Sequence, residues 1–264
     1  MEAADASFPA TLEIRGLRLL NLALDEAVAA IEAAVAASHP TQVAFVNADC
    51  VNIAARDEAY RQRLNDMDWV FVDGIGMRLA GQMLKQPVRD NVNGTDLFPR
   101  LCKMLAARGG RLYLLGGRPG VAAAAACWAE AHHPGLQIAG AHNGYLDPAD
   151  NQRVASEIRA TRPDVLLVAM GAPRQEAWIG RHAAAAGATV TLGVGGLFDY
   201  YSGRIPRAPA WMRRLGLEWI FRLLQEPGRL WRRYLIGNLV FLARVGRDRL
   251  AGQVSTRKPQ RRNA

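Results

Sequence analysis

The feature that most constrains the fold is an alternation of short apolar runs with longer alanine- and leucine-rich stretches. Six runs have the composition of buried strands: 42–47, 69–73, 111–116, 136–140, 164–171 and 190–196. Seven stretches around them have the composition of helices: 24–37, 57–66, 75–84, 95–108, 118–133, 149–161 and 174–186. Short apolar strands that alternate with helices are typical of a parallel sheet covered on both faces. We therefore predict an α/β fold of Rossmann-like type over residues 11–203.

The C-terminal part of the chain differs from the rest in charge. From residue 204 onward it holds 15 Arg and Lys residues against three acidic ones and carries +12, whereas residues 1–203 carry −3. Such a block attracts phosphate, either of a nucleic acid or of an anionic membrane surface. We predict a basic, amphipathic helical appendage over residues 204–250 and a disordered basic tail over 251–264. Residues 1–10 are predicted to be disordered as well.

Apolar residues within the appendage favour a membrane surface over a nucleic acid. The run YLIGNLVFLARV (234–245) is roughly half of the ~20 residues that would span a bilayer, so we expect it to lie on the membrane. Four aromatic side chains suit the headgroup level: Trp211, Trp219, Trp231 and Tyr234. A second interpretation is a helical pair that caps the α/β body through leucines, namely Leu215, Leu223, Leu224 and Leu235. The two interpretations are compatible, because the arginines and the leucines can occupy different faces.

Polar residues follow the first two strands of the predicted sheet. Asn47 and Asp49 end the first strand, and Asp73 ends the second, directly before Gly74. Ligands of such sheets bind at the carboxyl ends of the strands. An aspartate there is either a helix N-cap or, with its pKa adjusted by burial, a general base towards a hydroxyl group. The glycines around Ile75 leave space above Asp73 and favour a site.

Three further strands end in glycines, namely Gly116, Gly117, Gly171 and Gly195. A glycine turn that opens a helix offers backbone N–H groups to a phosphate, although a turn without any ligand needs the same glycines. Arg174, Gln175 and Glu176 follow the fifth strand, and we expect them on the exposed first turn of a helix. Together these strand ends predict a groove of the size of a nucleotide.

Several other kinds of site are not supported by the residue spacing. The chain has no G-x-G-x-x-G, P-loop or G-x-S-x-G motif, and neither its histidines nor its three cysteines have metal-ligand spacing. The Asp66–Asp68 pair of an Asp-x-Asp motif precedes its strand and is predicted to form a turn. We predict no metal and no cofactor. The first twelve residues lack the features of a signal peptide, so a cytoplasmic location is expected.

Eight sequence blocks resemble, in their order, the WecG/TagA/CpsF family of bacterial glycosyltransferases. They are VNADCVNIA, VFVDGIG, NGTDLFPRL, LYLLGGRPGVA, NGY, PDVLLVAMGAPRQEAWI, LGVGGLFD and RAPAWMRRLGLEWIFRLLQEPGRLWRRYL, within about residues 40–242. The resemblance implies a Rossmann-like domain with a C-terminal appendage and no metal requirement. It also implies an inverting transfer, typically β-1,4, from a UDP-sugar to a saccharide on undecaprenyl pyrophosphate. The enzyme would be peripheral on the inner face of the cytoplasmic membrane.

Family roles fall on particular residues of this sequence. The resemblance implies that Asp73 takes the proton from the acceptor hydroxyl group. It places Asn47 and Gln175 in the sugar or diphosphate pocket. Three arginines of the appendage would neutralise the leaving UDP or hold the lipid pyrophosphate: Arg222, Arg229 and Arg232.

Two positions depart from the family pattern. Asn91 stands where many relatives have an arginine, with Arg89 two residues earlier, and Phe45 stands where a threonine is usual. Asn91 slightly favours a neutral donor, glucose, as in exopolysaccharide synthesis of the xanthan type. UDP-N-acetylmannosamine or its uronic acid, as in teichoic acid or common antigen synthesis, is the alternative. A different class, a nucleotide-responsive nucleic-acid-binding protein, is disfavoured by the leucines and tryptophans. A homo-oligomer is left open.

Overall fold

The computed structural model describes residues 11–251, which form one eight-stranded sheet with helices around it. The strands are β1 (Thr11–Ile14), β2 (Leu17–Leu20), β3 (Thr41–Val46), β4 (Trp69–Val72), β5 (Arg111–Gly116), β6 (Gln137–His142), β7 (Val165–Ala169) and β8 (Val190–Gly193). Their order in the sheet is β1-β2-β4-β3-β8-β7-β5-β6. Only the β1–β2 pair is antiparallel. The predicted α/β fold of Rossmann-like type is confirmed.

Nine α-helices of residues 11–203 accompany the sheet. They are α1 (Leu24–Ala36), α2 (Ala48–Ala54), α3 (Glu58–Asp66), α4 (Ile75–Met83), α5 (Gly94–Ala107), α6 (Val121–His132), α7 (Asn151–Ala160), α8 (Arg174–Ala186) and α9 (Leu197–Tyr201). Buried side chains form two clusters, which contain alternate residues of the same strands. In β3, for example, Ala44 and Val46 belong to one cluster, whereas Val43 and Phe45 belong to the other. The sheet is therefore packed on both faces, as its continuously apolar strands predict.

The β1–β2 hairpin and the helix α2 are absent from the sequence prediction. The strands of the hairpin are four residues long and turn at Arg15 and Gly16, both with positive φ. The hairpin extends the sheet because Leu20 pairs with Phe71 of β4. Helix α2 begins directly after Asn47, whose side-chain oxygen accepts hydrogen bonds from the backbone N–H groups of Asp49 and Cys50.

The appendage, residues 204–250, is helical and packs against the rest of the chain. It contains α10 (Ala210–Arg214), α11 (Glu218–Gln225), α12 (Pro227–Trp231), a π-helical segment (Arg232–Gly237) and α13 (Asn238–Leu250). Phe241 and Val245 of α13 are fully buried in the same cluster as Met77 of α4. Asn52 of α2 accepts a hydrogen bond from Arg244 and donates one to the carbonyl oxygen of Gly237, each at 2.8 Å.

The apolar contacts of the appendage differ from those predicted for a cap. Leu215, Leu224 and Leu235 are exposed, with relative accessibilities of 64%, 73% and 47%. The prediction of capping contacts is therefore wrong for these three leucines, whereas Leu223 is half-buried. Phe241 and Val245 are apolar residues of the appendage that are buried against the α/β body. Within residues 11–251, no helix combines the length and the apolarity that crossing a membrane requires. The predicted disorder of 1–10 and of 251–264 lies outside the described residues, except for residue 251.

Candidate active site

A cavity of about 590 Å³ opens at the carboxyl edge of the sheet. Residues that follow β3, β4, β5, β7 and β8 line one side of it, and residues of the appendage line the other. Ten of the predicted site residues border the cavity: Asn47, Asp73, Asn91, Gly117, Gly171, Arg174, Gln175, Gly195, Arg222 and Arg229. Three do not: Gly116, Glu176 and Arg232. Asp66 is the last residue of α3 and Asp68 directly precedes β4, so the pair lies at the helix-to-strand turn, as predicted, at the opposite edge of the sheet.

Asp73, the predicted general base, follows β4 and lines the cavity. Its backbone N–H donates to Val46 of the neighbouring strand, which fixes the residue at the end of β4. Its half-buried side chain accepts a hydrogen bond from Asn47 Nδ2 at 3.5 Å. Burial raises the pKa of Asp73 to about 6, although the Asn47 hydrogen bond and the charge of Arg233 lower it. A carboxyl group with this pKa is ionised at neutral pH and still basic enough to accept a proton.

The turn after Asp73 is held by Asn91. Gly74 has φ of +93°, a conformation that side chains rarely adopt. Its backbone N–H donates to Asn91 Oδ1 at 2.5 Å. Arg89 points elsewhere and forms a two-pronged ion pair with Glu26. Asn91 therefore shapes the turn that carries Asp73, whatever contact it makes with a ligand.

The glycines at the strand ends differ in how closely other atoms pack around them. Gly116 is packed on β7, since a Cβ atom there would lie 2.4 Å from the Ala169 carbonyl oxygen. A Cβ atom at Gly171 or Gly195, in contrast, would meet no atom within 4 Å, so both glycines border open space. The first turn of α8 is not exposed as a whole, because Gln175 and Glu176 are buried and only Arg174 is exposed. The predicted exposure of Gln175 and Glu176 is therefore wrong.

The predicted arginines of the appendage have different surroundings. Arg222 is largely buried and lies over the ring of Tyr200, with its guanidinium carbon 4.7 Å from the ring centroid. Its Nη2 atom is 3.1 Å from the position that a Cβ atom of Gly196 would take, so the charge lies against the turn after β8. Arg229 is exposed at the cavity mouth and pairs with Glu226 at 2.5 Å. Arg232 lies over Trp231, outside the cavity.

Arg233, the residue next to Arg232, lines the cavity although no role was predicted for it from the sequence. Arg233 also forms an ion pair with Asp49, with Nε 3.1 Å from Oδ2. Tyr234, the next residue, also lines the cavity. The paired arginines at 232 and 233 were visible in the sequence. Choosing between them requires the helical register, which a π-helical segment changes.

Asp96 of α5 also lines the cavity and forms an ion pair with the appendage. Its carboxylate accepts a hydrogen bond from Asn93 Nδ2 at 2.7 Å, and Asn93 caps α5. Arg207 Nη2 lies 2.6 Å from Asp96, and Arg207 Nε lies 3.3 Å from Glu218. Asn93 and Asp96 belong to the NGTDL block, which carries the family resemblance, but no role was predicted for either residue. Their mutual hydrogen bonds are the capping pattern that this spacing favours.

No group of three or more His, Cys, Asp or Glu side chains within residues 11–251 is arranged to hold a metal ion. The prediction that the reaction needs no metal and no cofactor stays a prediction. The charged residues that line the cavity are Asp49, Asp73, Asp96, Arg118, Arg174, Asp199, Arg204, Arg213, Glu218, Arg222, Arg229 and Arg233.

The cavity is thus lined by the carboxylate of Asp73 and by arginines of the appendage, among them Arg222, Arg229 and Arg233. The model of the glycosyl transferase WecG/TagA/CpsF family matches residues 12–255. The chain belongs to this family, and the predicted resemblance is confirmed.

Individual relatives have one name in common, N-acetylglucosaminyldiphosphoundecaprenol N-acetyl-beta-D-mannosaminyltransferase. The protein from Bacillus subtilis strain 168 is 32% identical over 193 residues, 73% of this chain and 74% of the relative. The one from Bacillus spizizenii is 35% identical over 182 residues, 69% and 70% of the two chains. The one from Staphylococcus aureus strain MW2 is 31% identical over 234 residues, 88% and 91% of the two chains.

Proposed function

We propose that this glycosyltransferase moves an N-acetylmannosaminyl group from a UDP-sugar to a saccharide linked to a polyprenyl pyrophosphate. The observation that carries the proposal is Asp73, a carboxylate that lines the cavity and whose pKa burial raises to about 6, in a chain of this family. The names of the relatives supply the donor sugar and the class of acceptor.

The preference for glucose that Asn91 suggested receives no support. The relatives are named for N-acetylmannosamine transfer, so the alternative donor fits them better. The side chain of Asn91 has a structural task, because it accepts the hydrogen bond from Gly74. Its difference from the arginine of other family members is therefore a weak guide to the donor. Synthesis of a cell-surface polysaccharide remains the proposed context.

The proposed reaction is an inverting displacement. Asp73 accepts the proton of an acceptor hydroxyl group while the hydroxyl oxygen attacks the anomeric carbon. The bond between that carbon and the UDP oxygen breaks on the opposite face, and the electron pair leaves with UDP. Arg222 lies against the Gly196 turn, where its guanidinium would offset the charge that develops on the leaving diphosphate. Arg229, at the mouth, would face the acceptor pyrophosphate.

The proposed setting is the inner face of the cytoplasmic membrane. Leu235, Ile236 and Leu239 are exposed by 47%, 49% and 70%, and they belong to the part of the appendage that carries Arg233 and Tyr234 into the cavity. Exposed apolar side chains among arginines suit the headgroup region of an anionic bilayer. A membrane on this side would bring a lipid-linked acceptor to the cavity mouth. We favour this partner over a nucleic acid.

The experiment that tests the function measures UDP release in EDTA with a synthetic polyprenyl-pyrophosphate-linked N-acetylglucosamine acceptor. UDP-N-acetylmannosamine, its uronic acid and UDP-glucose are compared as donors. Wild type, Asp73→Asn and Asp66→Asn are assayed, because Asp66 is an aspartate at the opposite edge of the sheet.

The expected result is turnover with UDP-N-acetylmannosamine that is lost in Asp73→Asn and retained in Asp66→Asn. Turnover with glucose alone would refute the proposed donor while it leaves the reaction class intact. Equal rates for Asp73→Asn and wild type would remove Asp73 as the base. Dependence on a divalent metal ion would contradict the metal-free mechanism.

A further inference from the structure

Two glycine turns of the cavity wall are joined by one side chain. Gly171 follows β7 and Gly195 follows β8, with φ of +75° and +58°. The backbone N–H groups of both glycines donate to the same atom, Gln175 Oε1, at 3.1 and 2.9 Å. Gln175 also donates its own backbone N–H to the carbonyl oxygen of Gly171 at 3.0 Å. The carboxamide of Gln175 is thus a clip between neighbouring strand ends.

The clip works in only one orientation of the carboxamide. If the group turned over, Nε2 would face the two glycine N–H groups, and three donors would meet without an acceptor. Glu176 selects the working orientation, because its Oε1 accepts a hydrogen bond from Gln175 Nε2 at 2.8 Å. Both side chains are buried, with accessibilities of 4% and 0%. A hydrogen bond that is shielded from water in this way is costly to lose.

The surroundings leave the clip little freedom. A Cβ atom at Gly193 would lie 3.0 Å from Gln175 Nε2, so the carboxamide is pressed against the last residue of β8. Among residues 11–251, no arginine, lysine or histidine forms an ion pair with Glu176. Burial raises the pKa of Glu176. What Glu176 supplies is an acceptor atom at a fixed position, which a glutamine side chain also provides.

We propose that Glu176 is a positioning residue for the sugar nucleotide: it holds Gln175 in the orientation that ties the Gly171 and Gly195 turns together and so sets the shape of the cavity wall. The identity of the ligand rests on the proposed function. Gln175 Oε1 is occupied by the two glycines and acts on the wall instead of on the ligand. In this proposal the nucleotide occupies the open space beside both glycines.

The test combines amide hydrogen exchange with UDP binding for wild type, Glu176→Leu and Glu176→Gln. We expect Glu176→Leu to speed exchange at Gly171 and Gly195 and to weaken UDP binding, each on the order of tenfold, as the loss of a buried hydrogen bond predicts. Glu176→Gln retains the acceptor and should stay within about threefold of wild type. The amide of Gly117 donates to Ala169 at 2.9 Å and reports a general loosening of the sheet.

Each outcome decides a different point. Unchanged exchange at both glycines in Glu176→Leu would overturn the clip. Faster exchange with unchanged UDP affinity would overturn its role in binding. If wild type binds no UDP at all, the proposed UDP-sugar donor is wrong. The exchange data still test whether Glu176 holds the Gln175 clip in place. Should Glu176→Leu fail to fold, Gln175→Met removes the shared acceptor and must loosen the same two amides.

Discussion

The side chains of Arg233 and Asp49 form an ion pair, with 3.1 Å between Nε and Oδ2, that joins the appendage to the start of α2. The backbone N–H of Asp49 donates to Asn47 Oδ1 at 3.1 Å, and Asn47 Nδ2 in turn donates to Asp73. The position of the appendage is therefore linked, through three contacts, to the electrostatics of the proposed base.

Replacing Arg233 should shift the pH dependence of the reaction. Its positive charge lowers the pKa of Asp73, so Arg233→Gln should raise that pKa further above its ordinary value. The rising limb of kcat/KM against pH should then move to higher pH. Arg232→Gln is the matched control, since Arg232 lies outside the cavity. An identical pH profile for Arg233→Gln and wild type would disconnect Arg233 from the base.

Asp73→Asn should strongly reduce turnover, and it should not lower stability at alkaline pH. Removing a general base costs about 10²- to 10⁴-fold in rate. The folded pKa of about 6 lies above the ordinary 3.8, so the unfolded chain ionises first and the free energy of unfolding falls as pH rises through this interval. Asparagine avoids this loss, which amounts to about 1–3 kcal/mol above pH 7. Urea unfolding at pH 5 and pH 8 checks it: a mutant less stable at pH 8 than wild type contradicts the burial argument.

Arg222→Gln should lower kcat more than it raises KM for the donor. Arg222 is largely buried against Tyr200 and the Gly196 turn. In the proposed mechanism its charge acts at short range on the leaving group. The loss of one such stabilising group costs about 10²- to 10³-fold in kcat. Steady-state kinetics with Arg249→Gln, an exposed arginine at the end of α13, provides the control. Equal effects of the two substitutions would rule out a specific role for Arg222.

Phe241→Ala and Leu239→Ala should separate the two sides of α13. Phe241 is fully buried, so its truncation should cost about 3–5 kcal/mol of unfolding free energy and loosen the appendage. Leu239 is 70% exposed, and its truncation should change stability by no more than about 0.5 kcal/mol. Thermal and denaturant unfolding measure both. If both variants lost a similar amount of unfolding free energy, Leu239 would have to be packed against other residues, which would contradict its exposure in the structure.

The triple variant Leu235→Ser, Ile236→Ser and Leu239→Ser should weaken binding to anionic vesicles on the order of tenfold or more, because three exposed apolar side chains are removed. Flotation with phosphatidylglycerol vesicles measures the effect, with uncharged vesicles and duplex DNA as comparisons. Turnover of a short-chain, water-soluble acceptor should be preserved. Wild-type retention on DNA but not on vesicles would favour the nucleic-acid alternative.

Local patterns predicted the main elements because they depend on short-range composition. Helix α8 was predicted at residues 174–186, as observed, and β5 at 111–116. The β1–β2 hairpin was missed because its strands are too short to show a period and its place depends on pairing with β4. The same limit applied to α2, since the residues after Asn47 read as the end of a strand.

Site residues that directly follow a strand could be predicted from the sequence. Site residues whose burial depends on how a helix packs were harder to predict. Asp73 and Asn47 follow strands, so their convergence came from the fold class. The burial of Gln175 and Glu176 depends on which face of α8 meets the sheet. The spacing of residues in α8 could have indicated this face. The buried positions recur at helical intervals: Gln175, Ile179, Ala183 and Ala186. The choice of Arg233 over Arg232 depended on a helical register that spacing alone does not fix.

The ion pairs of Arg207 with Asp96 and Glu218 restrict which sequence changes the appendage and the α/β body can accept independently. Because the cavity is shared between the α/β body and the last fifth of the chain, these two parts are not interchangeable modules. A chimera that takes residues 204–250 from a relative would replace one wall of the cavity and also the partners of Asp49 and Asp96. Productive recombination at this boundary therefore has to preserve both attachment points, so the two segments are constrained to change together.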